Sequence, residues 1–238
     1  MRLRTRRDAG VTLIEVLIAV TLLSLLSAGM VYAMRLGLNA FSKTDDKLMF
    51  NRRVVGAQRI LEQQLGGLVP VVTTCGEKGP VFGYFQGEQQ VMRLVTAFSL
   101  TQASRGLPQI LEIFVIPGEG GGVRLVMNET QYTGPVTAGA ACIGPGENGA
   151  FQFYPPQPKE TSFVLADKLS YCRFQYFTPA ERATEPPTWK QGWAHKGWPQ
   201  AIRVEMAPLE PNPARLQPIS VTAPIYLYRS PDFHYVDQ

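Results

Sequence analysis

Residues 10–20 read GVTLIEVLIAV and open an apolar run that continues to Met34. The composition is that of a membrane span, except that Glu15 stands about one helical turn from its start. A carboxylate in hydrocarbon costs about a few kcal/mol or more, so an acid inside a span is a mark of function. Residues 11–34 are long enough to cross a bilayer as a tilted helix. Ahead of them lie Arg2, Arg4, Arg6 and Arg7 against Asp8, the basic flank that stays on the cytoplasmic side. These residues account for +3 of the formal charge of +4, so the chain beyond Gly10 carries only +1. The pI of about 9.0 is therefore a topology signal, and no nucleic-acid partner is expected from charge.

Downstream, Val54, Ala57, Leu61, Leu65 and Leu68 recur at helical steps, while Arg52, Arg53, Arg59, Glu62 and Gln63 fall largely elsewhere. Gly66, Gly67 and Pro70 end that pattern. Residues 35–69 thus read as an amphipathic helix whose apolar stripe needs a sheet, or in part a partner helix, to cover it. From Pro70 the signals are those of strands: VMRLVTAFSL (91–100), ILEIFVIP (110–117), GGVRLVMNET (121–130), SYCRFQYF (170–177), QAIRVEMAPL (200–209) and VTAPIYLYRS (221–230). Gly and Pro clusters separate them, their spacing is uneven, and no repeat or second long helix is evident. The expected class is α+β: a long N-terminal helix, transmembrane then amphipathic, packed on antiparallel β-sheets. The divisions are 1–10 as leader, 11–34 as span, 35–69 as amphipathic helix and 70–238 as a β-rich domain.

The three cysteines cannot all pair within one chain. Cys75 and Cys142 lie in Gly-rich polar loops and are the expected disulfide, which suits an oxidising compartment. Cys172 alternates with Phe174 and Tyr176 and is expected as a buried thiol. Catalytic signals are sparse. His195 and His234 sit in polar contexts, without HExxH or Cys/His ligand spacing. No GxSxG elbow is present. Glu181, Glu185 and Glu210 lie in Pro-rich loops and are expected to be solvated. The Gly tracts at 118–122 and 144–149 lack a following Lys-Ser or Lys-Thr and read as turns. The Asn128 sequon carries no weight in this setting. No enzyme, cofactor or metal site is expected.

Basic leader, Gly10, Thr12-Leu13-Ile14-Glu15 and uninterrupted span together resemble the type IV prepilin signal nearly position for position. One departure is Val11, where that family usually has Phe or Met. The resemblance implies cleavage between Gly10 and Val11 by a prepilin peptidase, N-methylation of Val11, and single-pass insertion in a bacterial inner membrane. The N-terminus would be cytoplasmic and a pilin-like domain periplasmic. It also implies that Glu15, in a dry bundle of filament helices, meets the α-amino group of a neighbouring subunit, offsetting two desolvation costs at once.

Further along, LADKLSYCRFQYF (165–177), TWKQGW (188–193) and GWPQAIRVEM (197–206) resemble the J-type minor pseudopilin of the type II secretion system. Phe174 and Tyr176 hold the aromatic places, Trp189 and Trp193 the loop, and Trp198-Pro199 the step into a strand beginning at Ala201. The likeness covers the leader, both helix parts and residues 163–228; residues 70–160 match in general strand layout only. TPAERATEPPT (178–188) replaces the usual acidic and Gly residues, which alters that loop's shape. The implied partners are the I- and K-type minor pseudopilins and the major pseudopilin, in the tip of a periplasmic pseudopilus. The alternatives are a minor pilin of a type IV pilus, serving adhesion, motility or DNA uptake, and then a membrane-anchored periplasmic enzyme. Trp189, Trp193 and Trp198 either pack the long loop onto the sheet or touch a partner.

Overall fold

The computed structural model describes residues 11–76, 79–146, 150–178, 186–195, 197–209 and 218–226. Gly10 and the leader, Glu181, Glu185, Glu210 and His234 lie outside the described residues, as do the side chains of Arg52, Arg53 and Val54. The chain divides into two compact units, Met1–Met49 and Phe50–Gln238.

Helix α1 (Leu13–Gly66) supplies the first unit and enters the second. It starts where the Thr12 carbonyl accepts the N–H groups of Glu15 (3.1 Å) and Val16 (3.3 Å). Its segment Leu13–Phe41 has a mean hydropathy of 2.2, enough in length and apolarity to cross a membrane. In the second unit, Ala57, Leu61, Gln64, Leu65 and Leu68 form one buried stripe at three- and four-residue steps. The helix stops at Gly66, and Gly67 lets the chain turn hard against the sheet: a Cβ there would lie 2.8 Å from Thr96 Oγ1. Thr96 Oγ1 lies 3.1 and 3.2 Å from the carbonyl oxygens of Gln64 and Gly67, serving groups that the end of the helix leaves unpaired.

The strands are β1 (Val72–Thr74), β2 (Val81–Gly83), β3 (Gln86–Gly87), β4 (Val91–Ser99), β5 (Ser104–Pro117) and β6 (Val123–Gln131). After a short helix α2 (Pro135–Gly139) come β7 (Cys142–Pro145), β8 (Phe151–Phe153), β9 (Phe163–Thr178), β10 (Thr188–Lys190), β11 (Ala201–Pro208) and β12 (Ile219–Pro224). One antiparallel sheet runs β12-β11-β9-β6-β5-β4-β3, with β10 added on β9. The β5–β6 turn is the expected Gly tract, with Gly121 at φ 91° and Gly122 at φ 70°. The last strand begins before the expected stretch and ends at Pro224, where pairing with Ala201 closes its ladder. The fold is α+β with sheet predominating.

Two cores result. On one face of the sheet the helical stripe packs against Met92, Leu94, Leu111, Ile113 and Leu125. The other face, with Val95 and Ile110, is covered by a layer made of β1–β2, α2 and β7–β8, which brings Val71, Phe82, Tyr84, Ala138 and Phe153. A disulfide between Cys75 and Cys142, with Cα atoms 5.3 Å apart, ties the loop after β1 to β7 within that layer. Asn128 is 2% exposed and bonded to Glu112 and the Gln157 carbonyl, so its sequon is closed to modification.

β9 joins the halves of the sheet by shifting its in–out alternation by one residue. Its inward residues are Leu165 and Leu169 in the half that pairs with β6, then Cys172, Phe174 and Tyr176 in the half that pairs with β11. The parity shifts at Ser170, which is skipped where Ala207 faces Tyr171 and Pro208 faces Leu169. One extra residue flips every side chain beyond it.

Candidate functional site

In the first unit the candidate site is the start of α1. Glu15 lies in the first helical turn, where the unpaired N–H groups and the helix dipole favour a negative charge. Its carboxylate has no partner among the described residues. Every side chain described between residues 11 and 41 is exposed, including Leu13, Ile14, Leu25, Met30 and Tyr32. Two hydroxyls of this segment are satisfied within the helix: Thr21 donates to the Ile18 carbonyl and Ser24 to the Val20 carbonyl, each at 2.8 Å. From Leu13 to Met34 the helix is almost wholly apolar and carries one charged side chain, Glu15. Gly10 lies outside the described residues, and Val11 stands exposed just before the helix.

The tryptophans of the second unit separate into two kinds. Trp193 is 7% exposed, sits edge-on to Phe85, and donates its indole N–H to the Gly197 carbonyl at 2.7 Å. Its backbone N–H donates to the Gly87 carbonyl at 2.8 Å, so the segment after β10 docks on β3. The β3–β4 turn meanwhile reaches β9: Phe174 N–H donates to the Gln89 carbonyl (2.8 Å) and the Tyr176 hydroxyl to the Glu88 carbonyl (2.9 Å). The sheet thus curls until its β3 edge meets β9, an interior strand of the same sheet. Gly87 permits the approach, since a Cβ there would lie 2.8 Å from both Trp193 Cβ and Tyr176 Cζ. Trp198 packs, half-buried, against the same core. Trp189 is different. It stands on the outer face, tilted on Phe177 at 5.2 Å, with the Arg203 guanidinium 3.9 Å above its ring.

A feature the sequence pattern does not betray is a polar ladder across four strands. Gln86, Arg93, Glu112 and Asn128 are register partners in turn on β3, β4, β5 and β6. Arg93 is 1% exposed; its Nε donates to Glu112 at 2.9 Å, its Nη1 to Gln86 and its Nη2 to the Tyr154 carbonyl at 2.6 Å. The ladder therefore pins the 154–162 loop onto the sheet. In VMRLV an Arg reads as the solvated half of an alternating strand, and only the covering layer reverses that. Elsewhere a cleft of about 520 Å³ opens beside Ala57, Ile60, Leu100 and Phe163, with the Arg124–Asp167 ion pair at 2.9 Å among its lining. Among the described residues, no group of three His, Cys, Asp or Glu side chains is placed to hold a metal ion.

Residues 5–31 match a family model described as the prokaryotic N-terminal methylation motif. No curated protein matches the chain. The N-terminus is thus a type IV prepilin-like signal, which suggests a pilin or pseudopilin and, with the apolar helix that follows, fits a membrane-anchored protein. The motif implies a prepilin peptidase and assembly with other pilins.

Proposed function

We propose that the chain is a structural minor pseudopilin of the type II secretion system, of the J type. It would belong to the tip complex that initiates the pseudopilus and supports export across the outer membrane. The match of residues 5–31 to the methylation motif carries this reading, and the stretches at 165–177, 188–193 and 197–206 narrow it. Its work is mechanical: cleavage after Gly10 frees Val11, and Glu15 then guides the subunit out of the bilayer toward a neighbour's amino terminus. The chain supplies packing surfaces to I- and K-type minor pseudopilins and to the major pseudopilin, without catalysis and without a cofactor. The globular domain would lie in the periplasm.

The test is co-expression of the full chain with I- and K-type subunits, followed by detergent extraction and affinity purification. A complex is expected; none at micromolar concentration overturns the assignment. In the same system Glu15→Ala should leave cleavage and insertion intact and abolish assembly. Normal assembly of that variant would sink the role given to the carboxylate. The same leader also serves minor pilins of type IV pili, and gene neighbourhood separates the two: secretin and secretion ATPase genes, or a retraction ATPase gene.

A further inference from the structure

The outer face of β9, β10, β11 and β12 carries chemistry that the fold does not consume. Cross-strand partners on that face are Arg203 with Gln175 and Thr222, Glu205 with Arg173, and Trp189 with Phe177. β10 and β11 flank β9 on opposite sides, so the Arg203–Trp189 stack at 3.9 Å bridges over the strand between them. The neighbouring Arg173 is neutralised by Glu205 at 2.7 Å. Arg203 is not. Its Nε has Thr222 Oγ1 at 3.4 Å, and its two terminal nitrogens have no partner among the described residues. Gln175, beneath the stack, leaves its Oε1 buried and unpaired.

A guanidinium held flat on an indole has lost most of its side-chain freedom before anything binds, and its terminal fork matches a carboxylate bidentately. Trp, Tyr and Arg are also the residues that dominate binding energy at protein interfaces, and Tyr171 stands 40% exposed on this face beside Arg173. A nucleic-acid strand fits less well. One face of the Trp189 ring is taken by Arg203 and Phe177 tilts against it, so no free platform is left for a base. The Glu205 carboxylate would also repel a phosphate chain running along β11.

We infer that this face is a docking surface for another pilin-like subunit, and that Arg203, held by Trp189, receives a single exposed carboxylate of that subunit. The inference rests on the assembly role proposed above. It adds the surface used and the charge of the group received.

The experiment uses the full chain in detergent, co-expressed with I- and K-type subunits, with affinity measured at low and high salt. Arg203→Glu should weaken the complex at least tenfold, and Trp189→Ala should weaken it less. Arg203→Lys, which keeps the charge and loses the planar fork, should fall between wild type and Arg203→Glu. Wild-type binding should weaken as salt rises, and the Arg203→Glu complex should respond little. An unchanged melting temperature and an intact disulfide in each variant would show that the fold is preserved. If wild type binds and all three variants bind equally well, the surface assignment is overturned while the assembly role stands. If wild type binds neither subunit, both fall. Self-association of the purified chain lost with Arg203→Glu, or binding of a single-stranded oligonucleotide lost with it, in either case without change in subunit binding, would also overturn the assignment.

Discussion

Gln64 carries a primary amide into the core beneath the sheet, fully buried, and neither its oxygen nor its nitrogen finds a hydrogen-bond partner among the described residues. An orphaned buried polar group costs about 1–3 kcal/mol. Gln64→Leu keeps the shape and removes that cost, so it should raise stability by about 1 kcal/mol in a denaturant titration. A loss of stability would mean that the amide contributes more to this core than a leucine of similar volume. Arg93 is the opposite case, a buried charge with every direction served. Arg93→Ala would strand Glu112, Gln86 and the Tyr154 carbonyl together, and should cost about 3–5 kcal/mol. The same titration checks it, and the 154–162 loop should gain proteolytic sensitivity. Periodicity in the sequence locates Gln64 beside a stripe and Arg93 within a strand. It cannot say which polar residue is satisfied, because the partners of Arg93 lie on three other chain segments, up to 61 positions distant, and Gln64 has none among the described residues.

Two connections hold elements together that have little else in common. The first is the approach of β3 to the Trp193 segment, which leaves no room for a side chain at Gly87. Gly87→Ala should destabilise by about 1–3 kcal/mol through overpacking against Trp193 and Tyr176. Thermal unfolding of the variant would measure this; an unchanged midpoint would show that the contact yields freely. The second is the Cys75–Cys142 disulfide, which closes a loop of 67 residues. Replacing both by Ser should cost about 4 kcal/mol by the chain-entropy account, most visibly in the outer layer of β1–β2, α2 and β7–β8. Hydrogen exchange would localise the loss, and uniform loosening across β9 and β11 instead would argue that the layer is not a separate unit. The strands themselves were legible from their β-branched and aromatic runs. The short strands of the outer layer were not: three or four residues give no periodicity, and they exist because Phe82, Tyr84 and Phe153 need a sheet face to cover.

The folded second unit holds several acids in their neutral form. Burial pushes the Cys172 thiol from 9.0 up to about 12, and burial likewise raises Tyr176 and Tyr84 above their ordinary 10.0. The folded values lie above the unfolded ones, so the unfolded chain loses these protons first. Stability is therefore complete below about pH 9 and falls between pH 9 and 12, by a few kcal/mol from the thiol. Urea midpoints measured from pH 8 to 10 should decline, and Cys172→Ala should flatten the decline. On the acid side, the hydrogen bond from Arg124 holds Asp167 below its ordinary 3.8, so that contribution is present above pH 3.8 and fades as the pH falls below it. Asp167 is 38% exposed, which keeps its effect small.

A span with one misplaced carboxylate, a basic leader and a Gly at their junction are local in the chain. Sequence by itself therefore determined the prepilin-type N-terminus, the helix that follows it and the β-rich character of what lies beyond. Which polar residues are buried, where β9 shifts its alternation, and that Trp193 closes the sheet while Trp189 stays outside were decided only by the tertiary structure. Each of these depends on contacts between segments far apart in the chain, and alternation along one strand is blind to what covers either side of it.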